Sequence, residues 1–339
     1  MQKEITQKVE ESKKKWDKYA VNYDKHIVNG HPDIVNFIKF EEEFINNILL
    51  FLSARQSRPL KLFDVCSGSG RIHNYYYNLY KNSNEETVFP SKLKWIHGID
   101  ISKNLLDIAK NKLEFDTGTD SKEIDKLKFS FEQKSAFDLS FENNDFITVA
   151  TNLLNTIGVL QPPEGSQKLF KSIRDLTEKN GGIGIISCFE KKYVETHALN
   201  QYESTMQVSG QPIWTFPNEY TSSGYTFVPK EYKTKGNVSH DTVVDVIDKN
   251  GDIIRENFTI KRNFSKTHST ILSGNVKTFT GYESMWYSYE VIDQWIKKYW
   301  DGLPAYHFET QTIDKTKAEA GQIAILDCGD NLKNYFNKG

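Results

Sequence analysis

The sequence predicts an α/β protein with a doubly wound, mostly parallel sheet, preceded by helices and interrupted by an antiparallel β insertion. Three observations predict it. Short apolar strands alternate with amphipathic helical stretches from residue 60 to about 190. Between residues 200 and 285 that rhythm gives way to β-rich pieces. It then resumes to the C-terminus. With 339 residues, 38% of them hydrophobic and 13% aromatic, the chain can bury a sizeable core as one elaborated domain or as two.

Residues 3–25 and 33–53 read as helices. In the first, Trp16, Tyr19, Ala20 and Tyr23 share one face, and in the second "FIKFEEEFINNILLFL" repeats its apolar residues at helical spacing. Strands follow at 60–66, 93–100, 127–133, 145–152 and 182–189, with helices at 70–82, 102–113 and 164–179. Ser102 is placed to cap the helix it opens. The polar stretch 114–125 reads as a surface loop. In the insertion, "YTFV", "DTVVDVID", "DIIRENFTI" and "STILSGNVKTF" read as strands, and Asn250-Gly251 marks a hairpin turn. A helix near 288–300 and strands near 305–313 and 321–328 complete the chain. The expected divisions are an N-terminal helical lid (1–55), a ligand-binding core (56–195), the insertion (196–285) and a return to the sheet (286–339).

Charge and cysteine usage exclude some partners. Lys and Arg number 43 against 45 Asp and Glu, a net charge of −2, so the basic excess of a nucleic-acid binder is missing. Three scattered cysteines, Cys66, Cys188 and Cys328, form neither a disulfide framework nor a zinc knuckle and suit a reducing compartment. No histidine has metal-ligand spacing, and no metal is expected. The N-terminus lacks a signal-like apolar stretch, and the longest apolar run, 48–52, is too short to span a bilayer. These features predict a soluble, cytoplasmic protein with no membrane partner.

The most informative stretch is "LFDVCSGSGRI", residues 62–72. Glycines between a strand and a helix let a ligand approach the backbone, and the helix start adds free N–H donors. In open parallel sheets ligands bind at the carboxyl ends of the strands. A phosphate-binding P-loop needs Gly-Lys-Ser/Thr, and Arg71 follows Gly70 instead. A dinucleotide fingerprint needs a small residue where His73 stands. The remaining pattern is Asp64-x-x-x-Gly68-x-Gly70, then Asp100 ending the next strand, then "KSAFDLSF" (134–141), "DFITVATNLLNTIGVL" (145–160) and "KNGGIGIIS" (179–187). This ordered series resembles the class I S-adenosylmethionine-dependent methyltransferases of the small-molecule type. "WDKYAVNYD" (16–24) and "GYESMWYSYEVI" (281–292) are similar to the helix ahead of the core and to the return from the insertion in that family.

The resemblance implies a Rossmann-like methyltransferase fold, S-adenosyl-L-methionine as cofactor, and methyl transfer to a small molecule. It implies that Asp64, Cys66, Ser67, Gly68 and Gly70 hold the amino acid portion of the cofactor. Asp100 would accept hydrogen bonds from both ribose hydroxyls, with Ile101 against the adenine. Ala136, Phe137 and Asp138 would read the adenine edge, and Thr151 and Asn152 would line the methyl-donor site. Trp16, Tyr19 and Tyr23 would face cofactor or substrate, with Tyr23 and Asn152 as the candidate catalytic residues. Two positions depart from the family pattern: Cys66 replaces its first glycine, and Ser135 stands where many relatives have an aspartate. Asn155, Trp214, Tyr220, Trp286 and Tyr287 are expected at the substrate, where aromatic faces would suit an amine gaining positive charge. An N-methyltransferase is therefore preferred over an O-methyltransferase of a small metabolite, a cap-type RNA methyltransferase, or a non-catalytic cofactor-binding scaffold.

Overall fold

The computed structural model describes all residues except 1, 25–27, 29–31, 83–87, 140–144, 161–163, 192–219, 223–224, 236–238, 248–249, 265–267, 274–281, 314–320 and 337–339. Two helices, α1 (Gln2–Tyr23) and α2 (Pro32–Arg55), precede the first strand. The core then alternates β1 (Leu60–Val65), α3 (Arg71–Lys81), β2 (Leu93–Asp100), α4 (Lys103–Lys112), β3 (Ser121–Ile124), β4 (Leu127–Gln133), β5 (Ile147–Asn152), α5 (Glu164–Thr177) and β6 (Ile183–Phe189). Strands β7 (Tyr220–Ser222), β8 (Tyr225–Lys235), β9 (Ser239–Ile247), β10 (Ile253–Phe264), β11 (His268–Ser273) and β12 (Tyr282–Tyr287) make the insertion. Helix α6 (Tyr289–Tyr299), β13 (Ala305–Glu309) and β14 (Gly321–Asp327) return to the core.

The main sheet runs β13-β14-β6-β5-β1-β2-β4-β3. Strands β4, β2, β1, β5 and β6 are mutually parallel, and β14 is antiparallel to both β6 and β13. Dinucleotide-binding sheets follow the order 3-2-1-4-5-6. Here a reversed strand, β14, is inserted before the last position, which gives the doubly wound, mostly parallel sheet expected. Side chains of β1, β5, β6 and β14 are buried on both faces. Helices α2, α3 and α4 cover one face around Phe37, Ile48, Tyr76 and Ala109, while α5 and α6 cover the other around Phe170, Ile173 and Trp295.

Two expectations are corrected. Within 114–125, Ser121–Ile124 form a short strand antiparallel to β4 rather than loop. The strand expected over 305–313 stops at Glu309, and Thr310–Ile313 turn helically. Of the two N-terminal helices, α2 buries Phe37, Ile45, Ile48, Leu49 and Leu52 fully in the sheet core.

The insertion forms its own antiparallel sheet, in the order β12-β11-β10-β9-β8-β7. Strands β9 and β10 pair as a hairpin across the Asn250-Gly251 turn, where Gly251 takes φ 89°. The sheet joins the core through β12. Tyr287 bridges Glu190 just beyond β6, and a Cβ on Gly158 would lie 2.1 Å from the Met285 carbonyl oxygen. The insertion thus enters at the carboxyl ends of the parallel strands. No helix among the described residues is long and apolar enough to cross a membrane.

Candidate active site

The site begins where β1 ends. Cys66, Gly68 and Gly70 all have positive φ, at 61°, 55° and 73°. Cys66, in the position where the family pattern has glycine, takes the left-handed conformation anyway, at a cost of about 1–3 kcal/mol held by the surrounding structure. Gly70 opens α3 in the left-handed conformation. A side chain there would meet Ala109 Cβ at 2.6 Å, so this glycine lets α3 pack against α4. Gly68 faces the ligand side, where a Cβ would lie 3.1 Å from the Tyr23 hydroxyl. His73 is fully buried and stacks on Phe131 with ring centroids 4.2 Å apart. Its space is provided by Gly98, where a Cβ would lie 2.6 Å from the imidazole. The small residue missing from α3 is therefore supplied by β2.

Asp100, buried at the end of β2, is gripped by two backbone donors. The Gly68 N–H donates to Oδ2 and the Ser102 N–H to Oδ1, both at 2.9 Å. Burial raises its pKa to about 6 despite those bonds. Asp64, one strand over, accepts from Thr151 Oγ1 at 2.9 Å, and burial lifts it to about 7. Asn152 is fully buried and spends its Nδ2 on the Val65 carbonyl at 2.9 Å, which ties the end of β5 to the end of β1.

Around these acids lies a cleft enclosing about 840 Å³, solvent at its mouth included. Its floor is Cys66, Gly68, Asp100 and Ile101, one side is Ser135, Ala136 and Phe137, and another is Leu154, Asn155 and Thr156. Trp16 and Tyr23 of α1 close it, meeting edge to face at 6.2 Å. A smaller recess, sharing Tyr23, Cys66, Leu154 and Thr156, continues past the turn to Asp64, Ser67, Ser69 and Arg71. Among the described lining residues of the main cleft, Asp100 is the only charged side chain and no Lys, Arg or His is present. Among the described residues no group of three or more His, Cys, Asp or Glu could hold a metal.

A buried ion pair braces this arrangement. Glu41 of α2 accepts from Arg71 Nη2 at 2.6 Å, from the Leu154 N–H at 2.8 Å, and from Ser187 Oγ. Leu154 and Asn155 both have positive φ, 53° and 57°, so the loop after β5 is held in a conformation uncommon outside glycine. In the sequence Glu41 is one of three consecutive glutamates in an apolar helix, and only its position on the buried face could have singled it out.

Of the predicted residues, Trp16, Tyr23, Cys66, Gly68, Asp100, Ile101, Ala136, Phe137 and Asn155 meet in the main cleft, and Asp64 and Ser67 in the recess. Gly70, Thr151 and Asn152 sit behind the walls, in packing and hydrogen-bonding positions. Asp138 is exposed on the turn after β4; Ser135, in the family's aspartate position, lines the cleft instead. Tyr287 is buried beside Trp295, its hydroxyl 2.8 Å from Ser166 Oγ, and Trp286 packs on Phe189. Neither lines the cleft, because both belong to the seam that joins the insertion to the core. Trp214 and the side chains of Tyr19 and Tyr220 lie outside the described residues. Ser12, Leu105, Val159 and Leu160 complete the lining and carry no signal in the sequence.

No family model matches the chain, and no curated protein matches it in sequence. Solved structures similar to it include an S-adenosylmethionine-dependent methyltransferase from Clostridium acetobutylicum, at 13% identity over 92% of this chain and 98% of that one, with a TM-score of 0.42. The CcbJ methyltransferase from Streptomyces caelestis is 14% identical over 92% and 97% of the two chains, with a TM-score of 0.44. CalS10, an amino pentose methyltransferase from Micromonospora echinaspora, is 11% identical over 85% and 90%, with a TM-score of 0.38. At these identities and scores the likenesses decide nothing about reaction or acceptor.

Proposed function

We propose that the protein is a class I S-adenosylmethionine-dependent methyltransferase that acts on a small molecule, with an amine or amino-acid-like nitrogen as the favoured acceptor. The observation that carries this reading is the buried Asp100 carboxylate, gripped by Gly68 and Ser102 N–H groups at the floor of an aromatic cleft. A carboxylate with both oxygens oriented is suited to a vicinal diol such as a ribose, through two charge-assisted hydrogen bonds.

The residues present fit such a cofactor. The end of the Tyr23 ring packs over the bare backbone of Gly68, and the recess beyond offers Asp64 and Ser67 to the polar groups of an amino acid portion. Ile101, Leu105, Ala136, Phe137 and Leu160 give an apolar slot for a base. When bound, S-adenosylmethionine supplies a methyl group activated by the positive charge of its sulfonium. The protein's part is then to align the reactants and exclude water, and alignment alone can contribute several kcal/mol. Trp16, Tyr23 and Phe137 line the cleft, and an aromatic face turned to a cation contributes about 0.5–2 kcal/mol.

The described lining of the main cleft offers an anionic acceptor no Lys or Arg, and Arg71 of the adjoining recess is held by Glu41. A hydroxyl acceptor needs a base, and the described lining of the main cleft offers neither imidazole nor amine, only the Tyr23 phenol, the Cys66 thiol and the Asp100 carboxylate. A neutral amine needs no base on the protein, whereas an ammonium must first lose a proton to free its lone pair. Binding of S-adenosylhomocysteine by calorimetry tests the cofactor assignment. A screen of amines, amino acids, phenols, carboxylates and RNA with methyl-labelled cofactor tests the acceptor. Label in amines or amino acids is expected. Label confined to phenols or carboxylates overturns the amine preference, and label confined to RNA overturns the small-molecule reading.

A further inference from the structure

Helix α1 carries two of the cleft's aromatic walls, and it is fastened to the core by polar contacts at two points a turn or more apart. Near its middle, Asp17 Oδ1 accepts from Ser102 Oγ at 2.7 Å and from the Asn104 N–H at 3.1 Å. The Asn104 amide returns a bond to the Asp17 carbonyl at 2.9 Å. Asp17 therefore satisfies a donor at the start of α4 beside the one taken by Ser102, whose Oγ accepts from the Leu105 N–H at 3.2 Å. Just beyond the C-terminal end of α1, Asp24 accepts from Ser69 Oγ in the glycine turn, and its other oxygen pairs with Lys112 Nζ at 2.6 Å. Lys112 also donates to the Ser69 carbonyl and hydroxyl, each at 3.1 Å.

The two fastenings bracket the residues that matter. Trp16 adjoins Asp17, and Tyr23 adjoins Asp24. Ser102 links Asp17 to Asp100, since its N–H binds the Asp100 carboxylate and its hydroxyl binds Asp17. Ser69 lies between Gly68, under Tyr23, and Gly70. Each fastening thus connects α1 to one side of the proposed cofactor site: the first to the diol carboxylate, the second to the glycine turn. The Asp24–Lys112 pair is about a third exposed on both sides, so salt will screen it, whereas Asp17 makes direct bonds to a helix end.

Resting on the cofactor assignment above, we propose that Asp17 and the Asp24–Lys112 pair are positioning residues that act through Trp16 and Tyr23. They hold α1 closed over the cofactor site and set the rate at which the spent cofactor leaves. The test uses the full-length chain and S-adenosylhomocysteine, with dissociation followed by stopped-flow tryptophan fluorescence. Asp17→Ala is expected to raise the dissociation rate about tenfold. Asp17→Asn keeps an acceptor oxygen for Ser102 and Asn104, and is expected to restore the rate to within about threefold of the parent. Asp24→Asn is expected to raise the rate several-fold and to remove most of the acceleration that added salt produces in the parent. Loss of folded protein would reduce the signal amplitude and leave the rate constant of the remaining complex unchanged, which separates positioning from structural damage. If the parent binds S-adenosylhomocysteine while Asp17→Ala and Asp24→Asn leave its dissociation rate unchanged, the proposal is overturned and the cofactor reading stands. If the parent shows no binding, the cofactor reading itself fails.

Discussion

Replacing Asp100 separates its two roles. Asp100→Ala removes the acceptor for any diol in the cleft and also orphans the Gly68 and Ser102 N–H groups, both 2.9 Å from the lost carboxylate. Each orphaned donor costs about 1–3 kcal/mol if it stays dry, so the variant loses about 2–6 kcal/mol of stability before any ligand is considered. Hydrogen bonds to a charged partner contribute about 1.5–3 kcal/mol each, so loss of even one lowers affinity at least tenfold. Asp100→Asn is the cleaner probe. Its oxygen still serves one N–H, while its amino group confronts the other and the charge is gone. Calorimetry with S-adenosylhomocysteine, run beside a melting curve on the same sample, should show Asp100→Asn folded and bound at least tenfold more weakly. A folded Asp100→Asn with parental affinity would refute the assignment of this carboxylate to the cofactor.

The two glycines of the turn should respond differently. Gly68→Ala, whose Cβ meets the movable Tyr23 ring end and whose φ of 55° costs about 1–2 kcal/mol, is expected to fold and to bind S-adenosylhomocysteine at least tenfold more weakly. Gly70→Ala collides with Ala109 at 2.6 Å and carries an unfavourable φ, so urea melts should show a loss of about 2–4 kcal/mol. Glu41→Ala leaves Arg71 without its closest partner and should cost about 3–5 kcal/mol, with Arg71→Met in the same chain recovering part of it. Additive losses for Glu41→Ala, Arg71→Met and the double variant would show that the pair is not coupled. Asp64 has a folded pKa of about 7 against an ordinary 3.8, so the folded state binds a proton that the unfolded state lacks across that window. The contribution of Asp64 to stability then falls as pH rises from about 4 to 7, and urea melts should show a smaller fall in Asp64→Asn. An identical pH dependence in both proteins would contradict the raised pKa.

Much of the fold was legible because its signals are local. The apolar runs of β1, β5 and β6, the Ser102 cap and the Gly251 turn are written in neighbouring residues. The cleft was legible where its lining falls on strand ends: Asp64, Gly68 and Asp100 are set by the position at which a strand stops. What could not be read depends on contacts between distant residues. Nothing near Glu41 announces that it will meet Arg71 and the Leu154 amide. Asp17 looks like part of a solvated face, yet it caps a helix 85 residues away. Tyr287 has the composition of a pocket residue, and its burial against Ser166 and Trp295 is fixed by how the insertion docks. His73 reads in the sequence as a surface or packed histidine, and what decides for packing, the space left by Gly98, lies on the neighbouring strand.

The same contacts determine the electrostatics of the site. Arg71 is shared between Glu41 at 2.6 Å and Glu42 at 3.6 Å, and Lys112 is taken by Asp24. The two cations nearest the turn therefore do little to offset Asp64 and Asp100, whose carboxylates are pushed up to about 7 and about 6 by burial. A ligand that brings positive charge into the cleft favours the ionised carboxylates and must drive protons off them near neutral pH. S-adenosylmethionine has a sulfonium and an ammonium, while S-adenosylhomocysteine keeps only the ammonium. Binding of the first should release more protons than binding of the second, with the difference largest between about pH 6 and 7. Calorimetry in buffers of different ionisation enthalpy reads the proton count directly. In Asp64→Asn the release should shrink for both ligands, because one of the two titrating acids is gone. Equal proton release for the two ligands in the parent would mean that the sulfonium does not sense these carboxylates, and that the negative cleft is not what recognises the methyl donor.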